Sequence, residues 1–511
     1  ATRILETAGK ASPTSMKRYI YNASHPVSML LDKSTDSVIK QIMKMPHMVG
    51  YQSKAYTFMD AIVKGKLTPG QAENLCNSPQ CLFKELVAIA KQKEYIGYYS
   101  VERELTDFSL RFLREINDNI ALNESEPFRI VESFSQEEIY FLMVFGREEV
   151  VTGSFNGLYA RLKSRIKTGN VVSLLNNVNH NRFRTFISMC GAYGKLEEVL
   201  NEMSTQQRDT LLVQFTHLSK NENNNDGVEI AETLNSIKNP QVLLVLHSQI
   251  KIEYEKAERD SNNMLLALYS VLASLVDGSA VVENNWFNTL SKQIKLPAVS
   301  QLPTKNLIAE KQRCIEQMYF YNDVDGRESF TNFLNTFKVL PTWKTEDKGS
   351  YVMVKSVEGN DVEIYANKPE YETNGQDAIN DYLKANDLTP TVVIHRGHSF
   401  HTASTLQNVN EHVKLLLVGS CGGFYKLSYA IDNAPDAHII ATKQIGTKNV
   451  NDPILLNLCE AIRVGKNIVW KDFWEQMRQK IGTNPHFADY VPPHQNLKSL
   501  FSRAYFSLLG V

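Results

Sequence analysis

The feature that most constrains this chain is a change in the period of its hydrophobic residues after Pro341. From Ser28 to about Lys338, apolar residues recur at three- and four-residue spacing with almost no alternating β-branched runs, the pattern of helices. Beyond Pro341, Tyr351–Lys355 and Val362–Tyr365 alternate like a strand pair joined by Glu358, Gly359 and Asn360. A helix over Gln376–Asn386, a strand over Val392–His395, a helix over Thr402–His412 and a strand over Lys414–Val418 follow. A helix over Phe424–Ile431, a strand over His438–Thr442 and further helices to Leu509 complete the pattern. Strands alternating with helices imply right-handed crossovers and a mainly parallel sheet covered on both faces. The expected architecture is therefore an all-helical region over residues 1–338 followed by an α/β domain over 339–511. A chain of 511 residues also exceeds what one hydrophobic core organises.

Within the helical region, Ser135 with Glu138 and Ser204 with Gln207 have capping-box spacing, which marks helix starts. Two breaks are expected: the polar run Asn221–Gly227, and Leu296-Pro297 through Leu302-Pro303, because Pro cannot continue a helix. No fixed-period repeat is evident, so a superhelix and an irregular bundle both stay open, with a break near 221–227 as a subdomain boundary. Met264–Val276 is too short to cross a bilayer and reads as a buried helix, so no transmembrane segment is expected. The region as a whole suits a regulatory arm or a docking surface for a protein partner.

Charge excludes one class of function. Lys+Arg 55 against Asp+Glu 56 leaves no basic excess to neutralise phosphate, and no basic run carries interleaved aromatics, so nucleic acid is not an expected partner. Six cysteines without paired CxxC spacing form neither a disulfide scaffold nor a zinc site. Cys76 and Cys81 are close enough for one local disulfide, and two unpaired thiols fit equally well.

The chemistry-bearing residues sit where strands end. In a parallel sheet reactive groups gather at the carboxyl edge, and two such edges stand out: Thr391–Ile394 followed by His395, Arg396, Gly397 and His398, and Leu415–Val418 followed by Gly419, Ser420 and Cys421. Twenty-three residues separate His398 from Cys421, about one helix and one strand, which makes the two strands neighbours. A thiol is mostly protonated at neutral pH, and a neighbouring imidazole can take its proton. Gly422 and Gly423 would let the chain turn sharply and offer N–H groups to an oxyanion, at the start of a helix whose dipole favours a thiolate. His395 competes with His398 for the base role but, ending its strand directly, points into the layer below. His395, His398 and His401 lack an adjacent carboxylate cluster, so no metal is expected. Lys443, Gln444 and Thr447 follow the next strand and are expected to border the site, and Asp432, Asp436 and Asp452 are placed in loops that line a pocket. Trp470, Phe473 and Trp474 have the helical spacing of core residues.

These two blocks resemble clan CD, the caspase-like cysteine peptidases. The segment Ile394–Ser399 looks like the histidine block of metacaspases, with His398 at the position of the catalytic histidine, and Val418–Gly423 resembles the nucleophile block, with Cys421 as nucleophile. The resemblance covers roughly residues 350–480. It implies an αβα sandwich, a Cys421/His398 dyad, a peptide or protein substrate and no cofactor. It also points to a bacterial protein, and the missing initiator Met favours an exported, periplasmic or secreted chain. Two positions depart from the family pattern. Ser399 replaces the Gly after the histidine, which bears on the oxyanion site. Gly419 replaces the acidic residue two before the cysteine, which removes a determinant of basic substrate preference. Two rival readings stay open. In one, Gly419-x-Cys421-x-Gly423 is a nucleophile elbow of a hydrolase or amidotransferase with His486 or His494 as base. In the other, Cys421 is a packed core thiol in a catalytically inactive caspase-like scaffold. A lyase or transferase on such a sheet would need a phosphate-binding loop that is not found here.

Overall fold

The computed structural model describes residues 2–21, 25–45, 53–122, 127–166, 170–218, 224–237, 239–276, 299–308 and 313–510. They form two compact units, Ala1–Met189 with Glu198–Ser204, and Cys190–Glu197 with Thr205–Val511.

The first unit is helical throughout its described residues. Its centre is the helix Gln136–Phe145, in which every residue from Ile139 to Phe145 is buried. A helix apolar all round must be surrounded, and this one packs against Tyr98–Leu122 and Thr152–Arg165. The capping box at its start forms as the spacing predicts: the Glu138 amide donates to Ser135 Oγ, and the Ser135 amide to the Glu138 carboxylate. Cys76 and Cys81 are joined by a disulfide.

The second unit carries a mixed sheet of eight strands: β2 (Arg313–Phe320), β3 (Trp343–Asp347), β4 (Tyr351–Ser356), β5 (Asp361–Asn367), β6 (Val392–Arg396), β7 (Leu415–Val418), β8 (His438–Thr442) and β10 (Tyr490–Val491). Their order is β10-β8-β7-β6-β2-β5-β4-β3. The run from β5 through β2, β6 and β7 to β8 is parallel, while β10, β4 and β3 add antiparallel edges. A separate small ribbon pairs β1 (Gln301–Leu302) with β9 (Ile468–Val469).

Alternation along the strands divides the side chains between two faces. Val392, Ile394, Leu415 and Leu417 join one core with Phe330, Phe333 and Leu458, from the helices Val324–Val339 and Lys448–Arg463. Val393, Leu416 and Val418 join the other, with Leu406, Phe424 and Ile431. Trp470, Phe473 and Trp474 belong to the first core, as their spacing indicated. The helices Asn224–Ser236 and Asn263–Val276 belong to this unit too and pack on the C-terminal helix Leu497–Leu509. Within Asn263–Val276, all of Ala267–Ala273 is buried. Among the described residues no helix is long and apolar enough to cross a membrane.

Several expectations need correction. A boundary at 338/339 cuts through the sheet, because β2 lies at its centre between β5 and β6 and the helix Val324–Val339 covers one face. Of the expected polar break, residues 224–227 open a helix and 221–223 lie outside the described residues, as do Leu296 and Pro297. Pro303 does interrupt the chain, between β1 and a short 3-10 turn. The helix expected over Thr402–His412 ends at Leu406, and that over Phe424–Ile431 is a 3-10 turn, Gly423–Lys426, followed by the helix Ser428–Asn433.

Candidate active site

β6 and β7 are adjacent and parallel, with His395 opposite Val418, so the segments after both strands emerge at one edge. His398 and Cys421 line a single cavity of about 280 Å³ there, together with Asp325, Ser329, Arg396, Gly446 and His486.

Cys421 is part-exposed and outside the disulfide, at a turn that Gly422 makes by adopting φ +64°, a left-handed conformation that suits glycine. The Gly446 amide donates to Cys421 Sγ at 3.4 Å, an interaction that strengthens when the sulfur is a thiolate. The N–H groups of Gly422 and Gly423 do not face the cavity as oxyanion donors. Gly422 donates to the Gln444 carbonyl at 2.9 Å and Gly423 to the Ser420 carbonyl at 3.1 Å. The element after Cys421 is a four-residue 3-10 turn, so the expected helix dipole is largely missing.

His398 is anchored through its backbone, whose N–H donates to Asp323 Oδ2 at 2.9 Å. Asp323 also caps the following helix, its Oδ1 accepting from Gly326 N–H at 2.6 Å. One side chain thus ties the histidine loop to the end of β2. The imidazole is half-exposed, with Nδ1 3.5 Å from the Asp325 carboxylate.

His395 has a different fate. It is fully buried on the opposite face, with Nδ1 hydrogen-bonded to Thr405 Oγ1 at 2.7 Å and Nε2 3.4 Å from Thr402 Oγ1. Burial pushes its imidazole down to about 3, too weakly basic to take a thiol proton at neutral pH. His401 stacks on Tyr321 at 4.2 Å. Among the described residues no group of three or more His, Cys, Asp or Glu could hold a metal.

Of the expected border residues, Thr447 lines the cavity and His395, Lys443 and Gln444 do not, nor does Ser399, expected at the oxyanion turn. Ser399 is buried, its carbonyl accepting from Lys426 Nζ at 2.7 Å. Lys443 lies over the Phe424 ring and 3.5 Å from Glu232. Gln444 supplies the carbonyl that holds Gly422. Asp432 and Asp452 are helical, not in loops, and neither they nor Asp436 line the cavity.

The residues that sequence reasoning missed come from elements flanking the strand ends. Asp325 and Ser329 come from the helix after β2, Asn451 from the helix after β8, and Arg396 from the last position of β6. Arg396 is buried, with Nη2 donating to Ser329 Oγ at 2.7 Å and to Asp452 Oδ1 at 2.6 Å. Asn451 Nδ2 donates to the Gly419 carbonyl at 2.9 Å, and a Cβ on Gly419 would stand 2.0 Å from Asn451 Oδ1. Asn451 thus fills the space that a side chain at 419 would need. The one signal for Asp323 was its Asp-x-x-Gly spacing ahead of a helix. His486 also lines the cavity, with Nδ1 3.3 Å from Asp489, whose Oδ2 accepts from the Ile445 amide. His494 does not line it.

No family model, curated protein or solved structure matches the chain.

Proposed function

We propose that the chain is a cysteine peptidase of caspase-like type, with Cys421 as nucleophile and His398 as general base. The observation that carries the reading is that one cavity at the carboxyl edge of a parallel sheet is lined by a part-exposed thiol and a histidine, brought there by adjacent strands. His398 takes the thiol proton, and the thiolate attacks a peptide carbonyl so that a C–S bond forms and the C–N bond breaks. The imidazolium returns the proton to the leaving amine. Water, deprotonated by His398, then cleaves the thioester to a carboxylic acid and the free thiol. The Gly446 amide, which donates to Cys421 Sγ, stabilises the thiolate.

A second reading, a caspase-like scaffold without activity, draws on the Gly422 and Gly423 amides being already engaged. Digestion of a mixed peptide library by the full chain, Cys421→Ala, His398→Ala and His486→Ala separates these possibilities. The proposal expects cleavage by the parent, loss of at least about 100-fold in Cys421→Ala and His398→Ala, and retention in His486→Ala. Equal cleavage by Cys421→Ala overturns it. Loss in His486→Ala with retention in His398→Ala moves the base to His486. Absence of cleavage by the parent favours the scaffold.

A further inference from the structure

The loop Lys443–Thr447, between β8 and the helix Lys448–Arg463, is fastened on two sides through its backbone. Toward the nucleophile turn, the Gly446 amide donates to Cys421 Sγ at 3.4 Å and the Gln444 carbonyl accepts from the Gly422 amide at 2.9 Å. A Cβ on Gly446 would stand 2.0 Å from the Gly419 carbonyl oxygen, so glycine here lets loop and turn lie backbone against backbone. On the other side stand Asp489 and Tyr490. The Lys443 amide donates to the Asp489 carbonyl at 2.8 Å, the Ile445 amide to Asp489 Oδ2 at 3.3 Å and the Thr447 amide to Tyr490 Oη at 2.9 Å. Tyr490 Oη donates in turn to the Thr447 carbonyl at 3.2 Å.

The two side-chain bonds fall on the residues either side of Gly446. Because each peptide unit is planar, holding the amides of Ile445 and Thr447 leaves the Gly446 N–H little freedom to turn away from the sulfur. The anchor is itself rigid, since Tyr490 is buried and pairs with Thr442 across the sheet. A hydrogen bond to the charged form of a titrating group favours that form, so an amide kept on Sγ favours the thiolate over the thiol.

Resting on the reading of Cys421 as nucleophile, we propose that Asp489 and Tyr490 are positioning residues that hold the Gly446 amide on Cys421 Sγ and so raise the fraction of the thiol present as thiolate. They act through the loop. Asp489 Oδ2 also lies 3.3 Å from His486 Nδ1, so its substitutions must separate the acceptor oxygen from the charge.

The test is the pH profile of iodoacetamide alkylation at Cys421, read by mass spectrometry in the full chain and in Asp489→Ala, Asp489→Asn and Tyr490→Phe. Labelling follows the thiolate fraction, so a displaced amide slows it at pH 6 while the profiles converge toward pH 9. Asp489→Ala and Tyr490→Phe should each label at least about fivefold more slowly than the parent at pH 6, as for weakening one hydrogen bond to a charged group. Asp489→Asn, which keeps an acceptor oxygen, should stay within about twofold of the parent. Cys314 and Cys459 are wholly buried and report folding in the same spectra, staying unlabelled while the sheet is intact. Where Asp489→Ala exposes them, Tyr490→Phe decides alone. Parent-like profiles in the folded variants overturn the assignment and leave the nucleophile reading standing. The same holds if Asp489→Asn is as slow as Asp489→Ala, which places the effect in the charge beside His486, or if slowing is equal at every pH, which marks altered access. If Cys421 of the parent labels as an ordinary thiol, the assignment and the nucleophile reading fall together.

Discussion

Two buried residues show how single side chains set the properties of this unit. Glu316, on the central strand β2, is wholly buried. One carboxyl oxygen takes a hydrogen bond from Cys459 at 3.4 Å and the other has no partner. Burial pushes its carboxyl up to about 7. A raised acid pKa means that the folded state holds its proton more tightly than the unfolded state does. Its contribution to stability is therefore complete below the unfolded value of ~4.3 and is lost as pH rises through about 7. Glu316→Gln should accordingly be more stable than the parent at pH 8, by roughly 2–4 kcal/mol, with the gain shrinking toward pH 4. Urea midpoints at the two pH values check this, and equal midpoints at pH 8 would contradict it. Gly419→Ala tests close packing: its Cβ would stand 2.0 Å from Asn451 Oδ1, so Asn451 must move and lose its bond to the Gly419 carbonyl. A loss of about 1–3 kcal/mol is expected in the same assay.

Among the elements, the junction between β2 and the next helix does most to place the histidine. Asp323 accepts from Gly326 N–H and from His398 N–H, so Asp323→Ala should cost about 1–2 kcal/mol as a lost cap and also slow Cys421 alkylation by loosening the His398 loop. A variant with the lost stability but unchanged alkylation would show that the loop is held by other contacts. The same junction marks where sequence reading stopped. β6 and β7 were legible because Val392–Ile394 and Leu415–Val418 are continuous apolar runs between turn signals, as buried parallel strands require. β2 was not, because Glu316 and Gln317 interrupt its apolar run although both are buried. A strand covered on both faces need not alternate, and polar residues held in the core hide it further. Cys421 and His398 could be paired from sequence because short connections join neighbouring strands. Asp325, Ser329 and Asn451 could not, since their position depends on β2 crossing into the middle of the sheet.

For the whole molecule, the central position of β2 decides what can fold alone. A fragment of residues 339–511 lacks the strand that joins β5 to β6, leaves both edges open and should be aggregation-prone, whereas residues 190–511 keep the complete sheet. Circular dichroism melts of the two fragments check this, and a cooperative transition in the shorter one would contradict it. Cys421 and His398 line one cavity, and we propose that they act there as a reactive pair. This is tested most directly by iodoacetamide alkylation of the full chain, resolved by cysteine with mass spectrometry between pH 5 and 9. Cys421 at pH 6 should label at least about tenfold faster than an ordinary exposed thiol, with the advantage lost in His398→Ala. Slow labelling at pH 6, rising only in the range of ordinary thiols and unchanged by His398→Ala, would contradict it.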